Sequence, residues 1–230
     1  MKASQSDVNK ISKLCETNQL SQVRKLIAQF PDVAKSTQLM SATIKGGASD
    51  VLKFLFACGA DVAVSGNVLL SEAAISSAEV LSLCIGELKS RFESRPDVLY
   101  SKGSAMVVSA AAHAKVANVK YLLEEGFCSI NINHLHQPLL DACKKGNKEV
   151  VDLLIAYGAK PDNTHYNSAI EHGHLEVMST LKEVNHDLVI DRQIEKVILS
   201  KREHAIGTPG FDKWAEIANI AISSNKRKLI

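Results

Sequence analysis

Eight histidines and five cysteines are the residues of this 230-residue chain best suited to metal binding, acid–base work or nucleophilic attack. Two pairs of histidines fall close together, His134-x-His136 and His172-x-His174. Zinc needs three or four ligands in fixed geometry, and two side chains at i, i+2 on a helix point roughly 200° apart. Both pairs are therefore expected to be structural or surface histidines, and the sequence predicts no metal site and no cofactor. Cys15, Cys58, Cys84, Cys128 and Cys143 form no C-x-x-C pair, and four of them sit in or at the end of helical apolar patterns. Buried free thiols in a reducing compartment are the expectation. Nucleophilic catalysis needs a Cys or Ser oriented by a base, yet no G-x-S-x-G is present. Neither G-x-x-x-x-G-K-[ST] nor a G-x-G-x-x-G after a strand is found, so nucleotide chemistry lacks its loop. An enzyme is not predicted.

Charge narrows the partner classes. The formal net charge is +2, with 23% charged residues. Bulk charge therefore draws the chain to neither nucleic acid nor a membrane. Lys144, Lys145, Lys148 and the tail Lys226-Arg227-Lys228 are basic. The first three alternate with Asp141, Glu149 and Asp152, as on a solvated face, and not as a continuous stripe. The opening MKASQSDVNK has no apolar h-region, so no secretory signal is expected. The weakly polar run at 105–114 is far short of the roughly 20 residues that span a bilayer. A soluble cytoplasmic protein is predicted, with the nucleus, or a host cell if it is delivered there, as alternatives.

Helices must position these groups. The composition is 46% hydrophobic but only 5% aromatic, which suits closely packed helices with small side chains between them. The most complete unit is 138–162, PLLDACKKGNKEVVDLLIAYGAKPD. Apolar residues Leu139, Leu140, Ala142 and Cys143 give one stripe, and Val150, Val151, Leu153, Leu154 and Ile155 a second. The spacing predicts two short amphipathic helices around the turn Lys144-Lys145-Gly146-Asn147. Gly158 follows the second helix, where a left-handed cap favours a residue without Cβ.

This stretch resembles an ankyrin repeat. Pro138-Leu139 stands where that family has Thr-Pro-Leu-His, Gly146-Asn147 where it has Gly-His or Gly-Asn, and Gly158-Ala159 where it has Gly-Ala-Asp. The same interval of 12 residues separates Gly47 from Gly59 and Ala114 from Gly126. Gly173-His174-Leu175-Glu176-Val177 is close to the family's helix–turn–helix signature. Residues 7–30 give a first pair with Asn18 at the turn, and 66–91 the most eroded pair, with Ser76-Ser77 there. Ser49 is the expected N-cap of the helix carrying Val51 to Leu55. The segment 92–102, with Pro96, lengthens the following connection, as an extended second helix with an enlarged loop. The step from Gly146 to Gly173 is only 27 residues, so the hairpin at 159–163 is clipped. Residues 188–204 and 211–222 predict a last helix pair without the repeat landmarks.

The resemblance implies an all-α solenoid of about six helix-turn-helix repeats, at about 4–35, 36–65, 66–100, 101–132, 133–162 and 163–187. A repeat array at 1–190 would end in a C-terminal helical cap and basic tail at 188–230, closing an apolar face that would otherwise meet water. It also implies a non-catalytic adaptor or scaffold that binds another protein on its concave face, with a secreted effector or inhibitor of a host protein as the alternative. Carried over residue by residue, that face includes Lys45, Ser101, Lys102, Ser104, Ala112, His113, His134, His136, Lys144, Lys145, Glu171 and His172. The 92–102 insertion is a second candidate surface, with Phe92 and Tyr100 expected to pack it down. The histidines suggest that binding loosens near their ordinary pKa of about 6.5. A monomer is expected, without a membrane or small-molecule partner; nucleic acid is the weaker rival.

Overall fold

Short apolar stripes broken by two- or three-residue polar turns fold into antiparallel helix pairs. The computed structural model describes residues 3–128 and 132–226, and within them holds fourteen α-helices and no strand. Two compact units divide the chain between residues 130 and 131.

The first unit contains α1 (Gln5–Glu16), α2 (Leu20–Gln29), α3 (Thr37–Lys45), α4 (Ser49–Ala57), α5 (Val68–Ile75), α6 (Ala78–Arg91), α7 (Pro96–Ala112) and α8 (Val116–Glu124). The first helix of each pair packs on the first helix of the next, α1 on α3, α3 on α5 and α5 on α7. The second helices α2, α4, α6 and α8 form a parallel row behind them. The second unit contains α9 (His136–Lys145), α10 (Lys148–Ala156), α11 (Asn163–Glu171), α12 (Leu175–Val184), α13 (Arg192–His204) and α14 (Phe211–Lys226). There α9, α11 and α13 pack in order, α10 meets α12, and α14 folds back on α13.

Each row is closed by aliphatic side chains. Leu52, Leu55, Leu81 and Leu122 are buried in the first unit, and Leu139, Val151, Leu154, Ile170 and Leu181 in the second. Ala73, Ala74, Ala110, Ala111, Ala142 and Ala169 are buried too, so the first helices approach closely. Leu153 and Phe54, expected in the core, are half-buried at the outer side. Phe54 lies beneath the Arg24 guanidinium, 5.1 Å from its ring centroid. Close approach fixes Gly103 as well: a Cβ there would stand 2.0 Å from Cδ1 of the buried Phe127.

The turns repeat one backbone solution. Asn18, Gly47, Ala114, Gly146 and Gly173 all have positive φ, from 54° to 77°. Glycine takes this left-handed conformation freely, asparagine tolerates it, and alanine holds it at a cost. Ser76-Ser77 departs from it, with Ser76 extended and Ser77 capping α6 through Oγ. Two expectations change. Ser49 is the first helical residue of α4, with Ala48 at the cap. The segment 92–102 is mostly not a loop, because Pro96 sits in the first turn of α7 and starts a 17-residue helix there; proline favours that position since its missing N–H is unneeded. The basic tail beyond Lys226 lies outside the described residues.

Candidate functional site

An α-helix leaves its last four carbonyls without intrahelical partners. Here the following repeat supplies the donors. Ser76 Oγ donates to the Ile44 carbonyl at 2.8 Å. Asn118 Nδ2 donates to the carbonyls of Ala74 at 2.9 Å and Ser76 at 3.0 Å. In the second unit His174 Nε2 lies 3.0 Å from the Lys144 carbonyl, and Lys201 Nζ donates to the Glu171 carbonyl. His174, expected as a structural or surface histidine, thus ties two repeats together. Desolvation holds its pKa below 6.5, helped by Lys213 and His172, against the raising effect of the Lys144 carbonyl. Asn18 does the reverse job, its Oδ1 accepting from the Val51 amide in the first turn of α4 at 3.3 Å.

Lys45 is exposed at the end of α3 and pairs with Glu72 at 2.8 Å. Lys102 lies half-buried with Nζ 5.9 Å from the Phe92 centroid. Ser104 is half-buried and spends its hydroxyl on the Tyr100 carbonyl at 3.0 Å. Tyr100 meets Phe127 edge to face at 6.4 Å, so both rings of the 92–102 segment have partners in the fold. His113 is exposed at the end of α7, with Nδ1 2.9 Å from the Ser109 carbonyl.

The second unit gathers more of the candidates. Lys144 on α9 and Glu171 on α11 line one cleft of about 480 Å³, together with Asn163, Asn167, Ser168 and Asp191. Sequence reasoning missed these last four. Asn163 and Asn167 stand one turn apart on α11, and their Oδ1 atoms accept from the amides of Val189 at 2.8 Å and Asp191 at 3.2 Å. Those bonds orient the two carboxamides against the start of α13. Ser168 Oγ is buried and has no hydrogen-bond partner among the described residues. Lys145 is exposed beside Lys144, and His134 is half-buried in the 3-10 turn Ile132–Leu135.

The remaining histidines are not arranged as helical i, i+2 pairs. His172 ends α11 and His174 caps α12, so the turn between them brings the rings parallel, 3° apart in plane and 6.3 Å between centroids. The divergence of roughly 200° expected for a continuous helix does not apply. His136 reaches the next repeat, with Nε2 3.2 Å from Asp162 Oδ2. Asp162 caps α11, accepting from the Thr164 and His165 amides at 2.8 and 3.2 Å. Burial works to raise its pKa, but the charge of His165 and those amides prevail and hold it below the ordinary value.

Within each unit, antiparallel helix pairs packed in two rows and joined by side-chain hydrogen bonds define a helical repeat protein. The family model described as ankyrin repeats (3 copies) matches residues 70–165 and 109–192, together more than half of the chain. The chain belongs to the ankyrin repeat family, whose members are generally protein–protein interaction modules. No curated protein matches the sequence. No helix among the described residues is long and apolar enough to cross a membrane.

Proposed function

We propose that the protein is a non-catalytic adaptor or scaffold that binds another protein in the cleft between α9, α11 and the start of α13. The observation that carries this reading is the mixed polarity of that cleft. Lys144 offers a cation, and Glu171 and Asp191 offer carboxylates. Such a lining suits an extended polypeptide, which brings both donors and acceptors. Burial pushes the Cys15 thiol up to about 11 and those of Cys84 and Cys143 up to about 12. Inert free thiols of this kind support a reducing, cytoplasmic setting.

A photo-crosslinking residue placed at Asn167 tests the reading, with the same residue at Asp152 on α10 as the control. The expected result in native extract is one discrete protein adduct from position 167 and none from 152. That adduct should weaken at least fivefold when Lys144→Glu and Glu171→Lys are combined in the same chain. Equal adducts from both positions, or insensitivity to the charge swap, would remove the cleft as the binding site.

A further inference from the structure

Two successive repeats of the second unit meet at a cluster outside the cleft proposed for the partner. His136 begins α9, Asp162 caps α11, and His165 lies in the first turn of α11. His136 Nε2 is 3.2 Å from Asp162 Oδ2, and His165 Nδ1 is 2.7 Å from Asp162 Oδ1. The three ligand atoms all lie within 4.8 Å of one another. The imidazole rings meet edge to face with centroids 4.4 Å apart.

The buried ring decides what the cluster can hold. The His165 side chain is 0% exposed, and its Nε2 stands 3.0 Å from the carbonyl oxygen of His136. That acceptor requires the proton on Nε2, which leaves a lone pair on Nδ1 of the neutral ring. Nδ1 nevertheless faces a second acceptor, Asp162 Oδ1. The Asp162 amide gives Nδ1 one donor, at 3.2 Å, without relieving the contact with the carboxylate. Something positive belongs between nitrogen and carboxylate, either another ring proton or a metal ion. A metal-bound histidine that passes its other N–H to a backbone carbonyl is the common outer-shell arrangement, since it fixes tautomer and ring orientation.

We infer that His136 Nε2, the Asp162 carboxylate and His165 Nδ1 bind one zinc(II) ion. Two imidazoles and a carboxylate suit a borderline first-row cation, whereas magnesium and calcium seek oxygen ligands. Zinc bonds of about 2.0–2.2 Å set tetrahedral donors roughly 3.3 Å apart. The cluster reaches that spacing when the Asp162 carboxylate, 50% exposed, turns to open its 2.7 Å contact with Nδ1 and the His136 ring, 46% exposed, turns towards it, while buried His165 stays fixed. The Asp162 side chain is 50% exposed, so water completes the coordination. The site stands whether or not the cleft binds a protein.

The test uses the full chain, stripped with chelator and titrated with zinc(II) by calorimetry and with cobalt(II) by visible absorption. One equivalent of zinc is expected to bind and to displace cobalt showing the d–d bands of a low-coordinate nitrogen and oxygen site. His136→Ala and Asp162→Asn should each weaken zinc at least tenfold and abolish the zinc-induced rise in thermal midpoint. Both variants should fold, because His136 is exposed and asparagine is as good an N-cap as aspartate; unchanged far-ultraviolet circular dichroism in chelator checks this. His172→Ala should bind zinc like the parent. No stoichiometric binding by the parent, equal affinity in His136→Ala, or a thiolate-to-cobalt charge-transfer band would each overturn the site.

Discussion

Asn118 is the sharpest place to test how one repeat holds the next. It lies in the first turn of α8, only 6% exposed, and its single carboxamide nitrogen serves two carbonyls at the end of α5. Truncation to alanine removes both hydrogen bonds, each contributing about 0.5–1.5 kcal/mol net. If water follows into the vacated space, the loss is roughly 1 kcal/mol; if both carbonyls stay dry, it approaches roughly 4 kcal/mol, since an unsatisfied buried group costs about 1–3 kcal/mol. Asn118→Asp separates donor loss from loss of volume. It is nearly isosteric, but an ionised carboxylate would face two carbonyl oxygens without a proton to offer. We expect it to be less stable than Asn118→Ala at pH 7. The introduced carboxyl would have a folded-state pKa above its unfolded value of about 3.9. Its penalty should therefore vanish at low pH, where the protonated acid donates, and grow as pH rises. Urea unfolding followed by circular dichroism at pH 4 and pH 7 reads both effects. An Asn118→Asp midpoint equal to the parent's at pH 7 would refute the account.

Further outcomes follow from individual positions. Ala114 holds φ 57°, so Ala114→Gly should raise stability by roughly 0.5–1 kcal/mol, the left-handed penalty of about 1–2 kcal/mol less the entropy glycine adds to the unfolded chain; an unchanged urea midpoint would count against strain there. Leu154 is 0% exposed, and Leu154→Ala should cost about 2–5 kcal/mol through the cavity left behind, again read by urea unfolding. Because His174 has a folded-state pKa below 6.5, the stability tied to its neutral form is fully present above about pH 6.5 and lost as pH falls through the folded pKa. His174→Gln should flatten the thermal midpoint against pH in that range, and an unaltered profile would remove His174 as the cause. Of the five cysteines, Cys15, Cys84, Cys128 and Cys143 are buried and Cys58 is intermediate, so a thiol reagent should label Cys58 first in the native protein and all five after denaturation, as counted by mass spectrometry.

The helix pairs were legible because they are local. An i, i+3, i+4 stripe and a residue suited to positive φ lie within some 25 residues, and each can be recognised without knowing its neighbour. The 92–102 segment misled because Pro96 reads equally as a loop residue and as the first turn of a helix. The site was harder for a different reason. Its partners lie one repeat apart in sequence, as with Lys144 and His174 or His136 and Asp162, and adjacency instead suggested pairing His134 with His136. Asn163 and Asn167 carried a faint signal, two amides at i, i+4, but nothing in the chain announces that Val189 and Asp191 will meet them.

The inter-repeat donors show how the stacking holds without a repeated residue. At the ends of α3, α5, α9 and α11 the carbonyls are met by Ser76, Asn118, His174 and Lys201 in turn. Four chemically different side chains satisfy one requirement, a donor atom that reaches a helix-end carbonyl across the interface. The donors also stand at different places, Ser76 ending α5, Asn118 in the first turn of α8, His174 capping α12 and Lys201 within α13, so the requirement is met without one fixed position. The exception is a position where the donor's bulk also matters. A Cβ on Gly146 would fall 2.2 Å from His174 Nδ1, so this glycine and this histidine must change together. Gly146→Ala should therefore cost more than the left-handed penalty of about 1–2 kcal/mol, and His174→Ser in the same chain should recover the excess. Failure of the double variant to recover stability would show that the ring does not occupy that space.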